Sequence, residues 1–186
     1  MFYPGARVDA RAYAHLLAPL ARAGVLVVVL KEPFGIALTD AGQASAPMSV
    51  HPEIRSWAVG GHSLGGVAAA SYADDHPQVK ALVLYAAYPS SALSRRDLKV
   101  LSVSGSADGL ATPAKVDAAR ADLPPATRYV VVVGGVHAFF GDYGVQPGDG
   151  TPGVPRIVAQ DRIVTATGDF LSLLDPSAAK VVPRKR

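Results

Sequence analysis

The pentapeptide Gly61-His62-Ser63-Leu64-Gly65 constrains this chain more than any other stretch. It follows the apolar run Trp57-Ala58-Val59 and leads into the helix-prone Val67-Ala68-Ala69-Ala70. A serine flanked by glycines at a strand-to-helix turn reads as a nucleophile elbow, which lifts the serine Oγ above the carboxyl edge of a parallel sheet. Ser63 is expected at positive φ. Gly61 and Gly65 are expected where a Cβ would collide with neighbouring backbone. The following helix would aim its free N–H groups and the positive end of its dipole at an oxyanion formed there.

Such a serine needs an acid and then a histidine, in that chain order, each just past a later strand. Val100-Leu101-Ser102-Val103-Ser104 reads as a strand and runs into Gly105-Ser106-Ala107-Asp108. Tyr129-Val130-Val131-Val132-Val133 reads as the next and runs into Gly134-Gly135-Val136-His137. Between them, Thr112-Pro113 is a helix start: a capping residue followed by proline at the first helical position. The expected catalytic set is therefore Ser63, Asp108 and His137. His137 would take the Ser63 proton, and Asp108 would hold the imidazole in the useful tautomer. For the oxyanion hole the expected backbone donors are the N–H groups of Leu64 and Ala6, the latter in the loop Tyr3-Pro4-Gly5-Ala6.

With these residues in place, the chain resembles the α/β-hydrolase superfamily. More narrowly, it is similar to small bacterial esterase-like members whose histidine lies in a Gly-Gly-x-His-x-x-Phe-Gly-x-Tyr-Gly-x-Gln-x-Gly-Asp segment, here Gly134 to Asp149. Tyr3-Pro4-Gly5-Ala6, Val8-Asp9, Ala12-Tyr13 and Gly61 to Gly66 fit the same group. The resemblance implies a reaction type, acyl hydrolysis, and no particular substrate.

The expected fold is α/β: a mostly parallel, doubly wound sheet flanked by helices, in a minimal version of the α/β-hydrolase fold without a lid. With 186 residues and 49% hydrophobic content, the chain can bury the core of one domain, taken as residues 1–179. The continuous apolar runs Val25–Leu30, Ala81–Leu84 and Val130–Val133 suit strands buried on both faces. They are too short to span a membrane. A helix is expected over 10–23, capped by Asp9 and stopped at Gly24, and a last helix over 156–174. Residues 180–186 are expected to form a basic, flexible tail. Lys180, Arg184, Lys185 and Arg186 outweigh the net charge of +3, so the remainder is slightly acidic and no nucleic-acid partner is implied.

There are no cysteines, which excludes disulfides, thiolate metal sites and the cysteine nucleophile of dienelactone-hydrolase relatives. No cofactor is expected, and no His/Asp/Glu group has metal-ligand spacing. No signal peptide is read at Met1, so a cytoplasmic location is the default. The sheet's two leading strands are missing. Either the protein is minimal or it begins upstream, and the exposed edge at Val25–Leu30 favours a homodimer or an added segment. Residues 88–98 leave room for one short helix and no lid, so the pocket should be open and the substrate a small acyl compound.

The remaining candidates have plainer readings. His62 packs in the turn; His15, His51 and His76 are surface or packing residues; Asp74-Asp75 closes a helix; Trp57 is core. Asp142 and Asp149 are alternatives to Asp108 as the acid, although neither follows a strand. Phe139, Phe140 and Tyr143 either line the acyl pocket or simply pack. The reading is a serine hydrolase acting through an acyl-enzyme. The alternatives are an acyltransferase or perhydrolase with the same triad, or a non-catalytic ligand-binding relative.

Overall fold

The apolar runs become strands because their side chains have a hydrophobic layer to enter on either side. The computed structural model describes residues 1–31 and 33–174. Its strands are β1 (Phe2–Tyr3), β2 (Trp57–His62), β3 (Val79–Tyr85), β4 (Lys99–Gly105) and β5 (Arg128–Val132). All pair in parallel, in the spatial order β1-β2-β3-β4-β5. The helices are α1 (Ala14–Arg22), α2 (Ser45–Val50), α3 (Leu64–Asp75), α4 (Pro113–Ala118) and α5 (Arg156–Leu171). Among the described residues no helix is long and apolar enough to cross a membrane.

β3 shows why its sequence does not alternate. Leu82 and Leu84 enter the layer under α3, with Ala69, Tyr72 and Ala73. Ala81, Val83 and Tyr85 enter the opposite layer, with Leu16 and Leu20 of α1 and Ile163 of α5. A strand covered on both faces can be apolar throughout. The sheet is doubly wound.

Local signals place several helix ends. Asp9 accepts from Arg11 N–H at 2.8 Å, Gly24 follows α1 with φ 91°, and Thr112 caps α4 with Pro113 at its first turn. Within the expected helix over 10–23, residues Ala10–Tyr13 form a 3-10 turn before α1 begins. The final helix ends at Leu171, with 172–174 in turns.

Two expected elements differ. Val25–Leu30 is not a full strand. It pairs with β1 only through the Phe2–Val29 bridge, where Phe2 N–H donates to Val28 O (2.8 Å) and Leu30 N–H donates to Phe2 O (2.9 Å). A two-residue β1 has one residue facing that side, so no longer ladder can form. The short helix in 88–98 does not form either. Its backbone donors are taken by α3: the Asp74 carboxylate accepts from Ser94 N–H (3.0 Å) and Arg95 N–H (2.8 Å). In return Arg95 Nη1 donates to the carbonyls of Ala73, His76 and Val79, which terminates α3. The expected tail, 180–186, lies outside the described residues.

At the end of β2 the chain turns so tightly that backbone meets backbone. A Cβ on Gly61 would strike the carbonyl of Gly65, and one on Gly65 would strike the carbonyls of Tyr3 and Pro4. Neither neighbour is a flexible side chain that could swing aside. Gly65→Ala is expected to cost at least about 2 kcal/mol and to lower the midpoint of thermal unfolding by roughly 4–8 °C. Gly42→Ala, where the nearest atom is Asp40 Oδ1 at 3.9 Å, serves as control and should stay within about 0.5 kcal/mol. Urea titration of both variants checks this, and equal midpoints would contradict the packing argument.

Candidate active site

Ser63 sits between β2 and α3 with φ 53° and ψ −124°, a conformation few L-residues adopt. The surrounding backbone holds it there. Ser63 N–H donates to Tyr85 O at 3.0 Å, and Gly66 N–H donates to Ser63 O at 2.9 Å. Leu64 is the first residue of α3, so its N–H has no partner within the helix. Ala6 lies in the loop after β1, against which Gly65 packs. Among the described residues, no hydrogen bond engages either N–H. Both are thus available as donors beside the start of α3.

Asp108 and His137 come from the loops after the neighbouring strands β4 and β5, which the Gly105–Val132 pairing holds in register. Asp108 Oδ2 and His137 Nδ1 are 2.9 Å apart, with side-chain exposures of 0% and 2%. The other oxygen, Oδ1, accepts from Leu110 N–H and Ala111 N–H, each at 2.8 Å. The carboxylate is therefore oriented by backbone on one side and presents its second oxygen to the imidazole. His137 Nδ1–H donates to that oxygen, which leaves Nε2 as the acceptor. That Nε2 is buried and has no hydrogen-bond partner among the described residues, Ser63 Oγ included.

Of the alternative acids, Asp142 pairs with Arg156 and accepts from Gln160, away from the imidazole. The Asp149 carboxylate accepts from four backbone N–H groups. Of the expected pocket residues, Phe140 is fully buried against His62 and Tyr85, and Phe139 lies beneath Arg156. Only the Tyr143 ring is partly open; its hydroxyl reaches Gln146 Oε1 at 2.9 Å. An apolar cavity of about 350 Å³ lies elsewhere, among Met1, Leu20, Val25, Trp57 and Leu171 at the amino ends of the strands. Trp57 is core. His51 bonds Glu53, His76 stacks on Tyr72, and His15 is exposed. Among the described residues no group of three or more His, Asp or Glu side chains could hold a metal ion.

One element of the site was not legible in the sequence. His62 does pack, but in the middle of the site, with its ring centroid 4.6 Å from that of His137 and its plane stacked on Phe140. Gly5 N–H donates to Tyr13 Oη at 2.8 Å, so the Tyr13 proton is directed to His62 Nδ1 at 2.9 Å. This chain joins the loop after β1 to the residue preceding Ser63. Tyr13 and His62 are too far apart in sequence for any local pattern to show it. Burial, and secondarily the neighbouring His137, hold the His62 pKa well below its ordinary value of 6.5, so the ring stays neutral.

A depressed histidine has a definite sign. The unfolded chain binds a proton below pH 6.5 that the folded chain refuses, so stability is full above that pH and falls as the pH drops below it. The Met1 ammonium, drawn to about 5 by burial, acts in the same direction. Only a comparison of variants isolates His62. His62→Gln should be less stable than the parent at pH 7, and its loss of stability between pH 6.5 and 5 should be shallower. Parallel stability–pH curves from urea titrations would contradict the neutral, buried imidazole.

Comparison with known proteins bears on the same architecture. The alpha/beta hydrolase family matches over residues 1–161. Among solved structures, a putative alpha/beta hydrolase of unknown function from Agrobacterium tumefaciens superposes with a TM-score of 0.63 at 16% identity, covering 99% of this chain and 88% of that one. A monoacylglycerol lipase from Paleococcus ferrophilus gives 0.63 at 13% identity, with 89% and 93% covered. The RedJ thioesterase of prodiginine biosynthesis in Streptomyces coelicolor gives 0.58 at 16%, with 91% and 88% covered. Among curated proteins no sequence match was found. At these identities the solved structures speak for the fold. The family match spans most of the chain, together with a parallel sheet that carries a serine on a strained strand-to-helix turn. The chain belongs to the alpha/beta hydrolase family.

Proposed function

We propose that the protein is a serine hydrolase that cleaves a carboxylic ester or a similar small acyl compound through an acyl-enzyme. The observation that carries this reading is the buried Asp108 Oδ2–His137 Nδ1 contact of 2.9 Å, in a sheet whose β2–α3 turn holds Ser63 at φ 53°. Ser63 Oγ attacks the acyl carbonyl while His137 Nε2 takes its proton. The imidazolium that forms is stabilised by the Asp108 carboxylate. The N–H groups of Leu64 and Ala6, with the dipole of α3, stabilise the tetrahedral oxyanion. His137 then protonates the leaving alcohol, and the reverse transfer activates water to release the acid.

Ser63→Ala should abolish labelling by a fluorophosphonate and lower turnover of a chromogenic ester by about 10³-fold or more, with the far-ultraviolet spectrum unchanged. Turnover persisting near the parent rate in the purified variant would remove Ser63 as nucleophile.

Acyl-chain preference follows from the connection between β3 and β4. In this family's fold that is where a covering segment could rise over the site, but here Asp74 and Arg95 tie it down against α3. A buried methylene gains about 0.8 kcal/mol, or about fourfold in kcat/KM, only if the pocket removes it from water. An open site should therefore favour short acyl esters, with kcat/KM levelling off after the first few carbons. A steady rise to long-chain esters in a graded series would show an enclosing pocket instead.

A further inference from the structure

Asp149 has no place in the proposed chemistry, yet its carboxylate is the most heavily hydrogen-bonded group near the site. Oδ1 accepts from Gly150 N–H (2.8 Å), His137 N–H (3.0 Å) and Gly109 N–H (3.2 Å), and Oδ2 accepts from Ala138 N–H (2.8 Å). Gly109 directly follows Asp108. His137 and Ala138 open the 3-10 turn His137–Phe140. One side chain, from a later part of the β5–α5 connection than His137, therefore grips the backbone on which each member of the Asp108–His137 pair stands. That segment is itself seated against the acid loop: a Cβ on Gly150 would strike the carbonyl of Ala107, and one on Gly109 would strike the carbonyl of Gly148.

We infer that Asp149 is a positioning residue, a carboxylate clip that sets the distance between Asp108 and His137 by binding both loops at once. The inference rests on the serine-hydrolase reading for its effect on turnover, but the clip itself is a statement about loop geometry. Burial alone would raise the Asp149 pKa; the four N–H groups outweigh it and hold the group below its ordinary value. The clip is thus ionised wherever the enzyme would work. A carboxylate suits this place because it is all acceptor. An amide would turn an NH₂ group toward at least one of the four N–H donors. The loops also have direct ties independent of Asp149, among them Ala107 N–H to Gly135 O at 2.9 Å and Gly134 N–H to Ser106 Oγ at 2.8 Å, so removing the clip should loosen the pair without unfolding the sheet.

The test uses Asp149→Asn, with Gly148→Ala as a second variant. Gly148 has φ 82°, so a Cβ there strains the backbone next to Asp149 and shifts the carboxylate while leaving it in the chain. Four quantities are read: kcat and KM on a short ester, the thermal midpoint, and the low-field proton resonance of His137 Nδ1–H, assigned by its loss in Asp108→Asn. Asp149→Asn should lower kcat by about 10²-fold while KM changes less than about threefold. Its Nδ1–H resonance should move or broaden, and Gly148→Ala should show a smaller change of the same kind. A purely structural residue would lower the thermal midpoint and leave the kcat of folded protein and the Nδ1–H resonance at parent values; that result overturns the inference. If Asp149→Asn does not fold, Gly148→Ala decides by the same readings. If the parent neither hydrolyses esters nor takes up fluorophosphonate, the serine-hydrolase reading fails. The resonance alone then decides whether Asp149 holds the two loops together.

Discussion

Gly65 brings the first turn of α3 onto the carbonyls of Tyr3 and Pro4, and Gly61 brings β2 onto the carbonyl of Gly65. These are contacts between main chains, which cannot yield by changing rotamer. They fix three things together: the direction in which α3 leaves β2, the φ of Ser63, and the height of the loop after β1 relative to the helix start. Displacing any one displaces the others, because each is the wall against which the next is packed. The two N–H groups proposed for the oxyanion hole lie on opposite sides of this contact, Leu64 on the helix and Ala6 on the loop.

Around that rigid centre the buried polar groups are satisfied mainly by main chain. Asp108 and Asp149 are both carboxylates in the loops after β4 and β5, and together they take six backbone N–H groups. Neither needs a lysine or arginine partner. For the half-buried Asp149, those neutral dipoles hold the pKa below its ordinary value without adding a cation to the site. His62 follows the complementary rule: a buried ring beside another imidazole stays uncharged and is held by the Tyr13 hydroxyl. Among the described residues the Nε2 atoms of both His62 and His137 are buried without a hydrogen-bond partner, and of the two rings it is His137 that has a carboxylate on its other nitrogen.

What the sequence made legible and what it hid divide by the range of the interaction. The strained serine and its two glycines, the Asp9 and Thr112 caps and the Gly24 stop depend on a few consecutive residues, and each can be read from composition and spacing. The order of strands brought Asp108 and His137 to neighbouring loops for the same reason: a parallel sheet repeats, and its period is visible. The segment 88–98 misled because it is decided from outside. Asp74 claims the N–H groups of Ser94 and Arg95 that a helix would have used. Asp149 stands as an alternative acid in the sequence because a carboxylate near a histidine invites that reading. Sequence cannot say which carboxylate faces the ring and which faces the backbone. The Tyr13–His62 pair and the burial of Phe140 are likewise tertiary facts with no local signature.

The division of labour in the site follows from these contacts. The connection from β3 to β4 is anchored to α3 and contributes no cover. The apolar cavity lined by Met1, Leu20 and Trp57 does not include Ser63 in its lining, and Phe139 and Phe140 are spent on packing. Little apolar surface is left near Ser63 to enclose an acyl chain. What remains is polar and stiff: backbone donors, a neutral imidazole, and a histidine braced by one carboxylate on its ring and another on its backbone. On the proposed acyl hydrolysis, recognition would rest on the acyl carbonyl and the groups next to it, because those are the atoms such fixed donors could reach, and the rest of the substrate would stay in solvent.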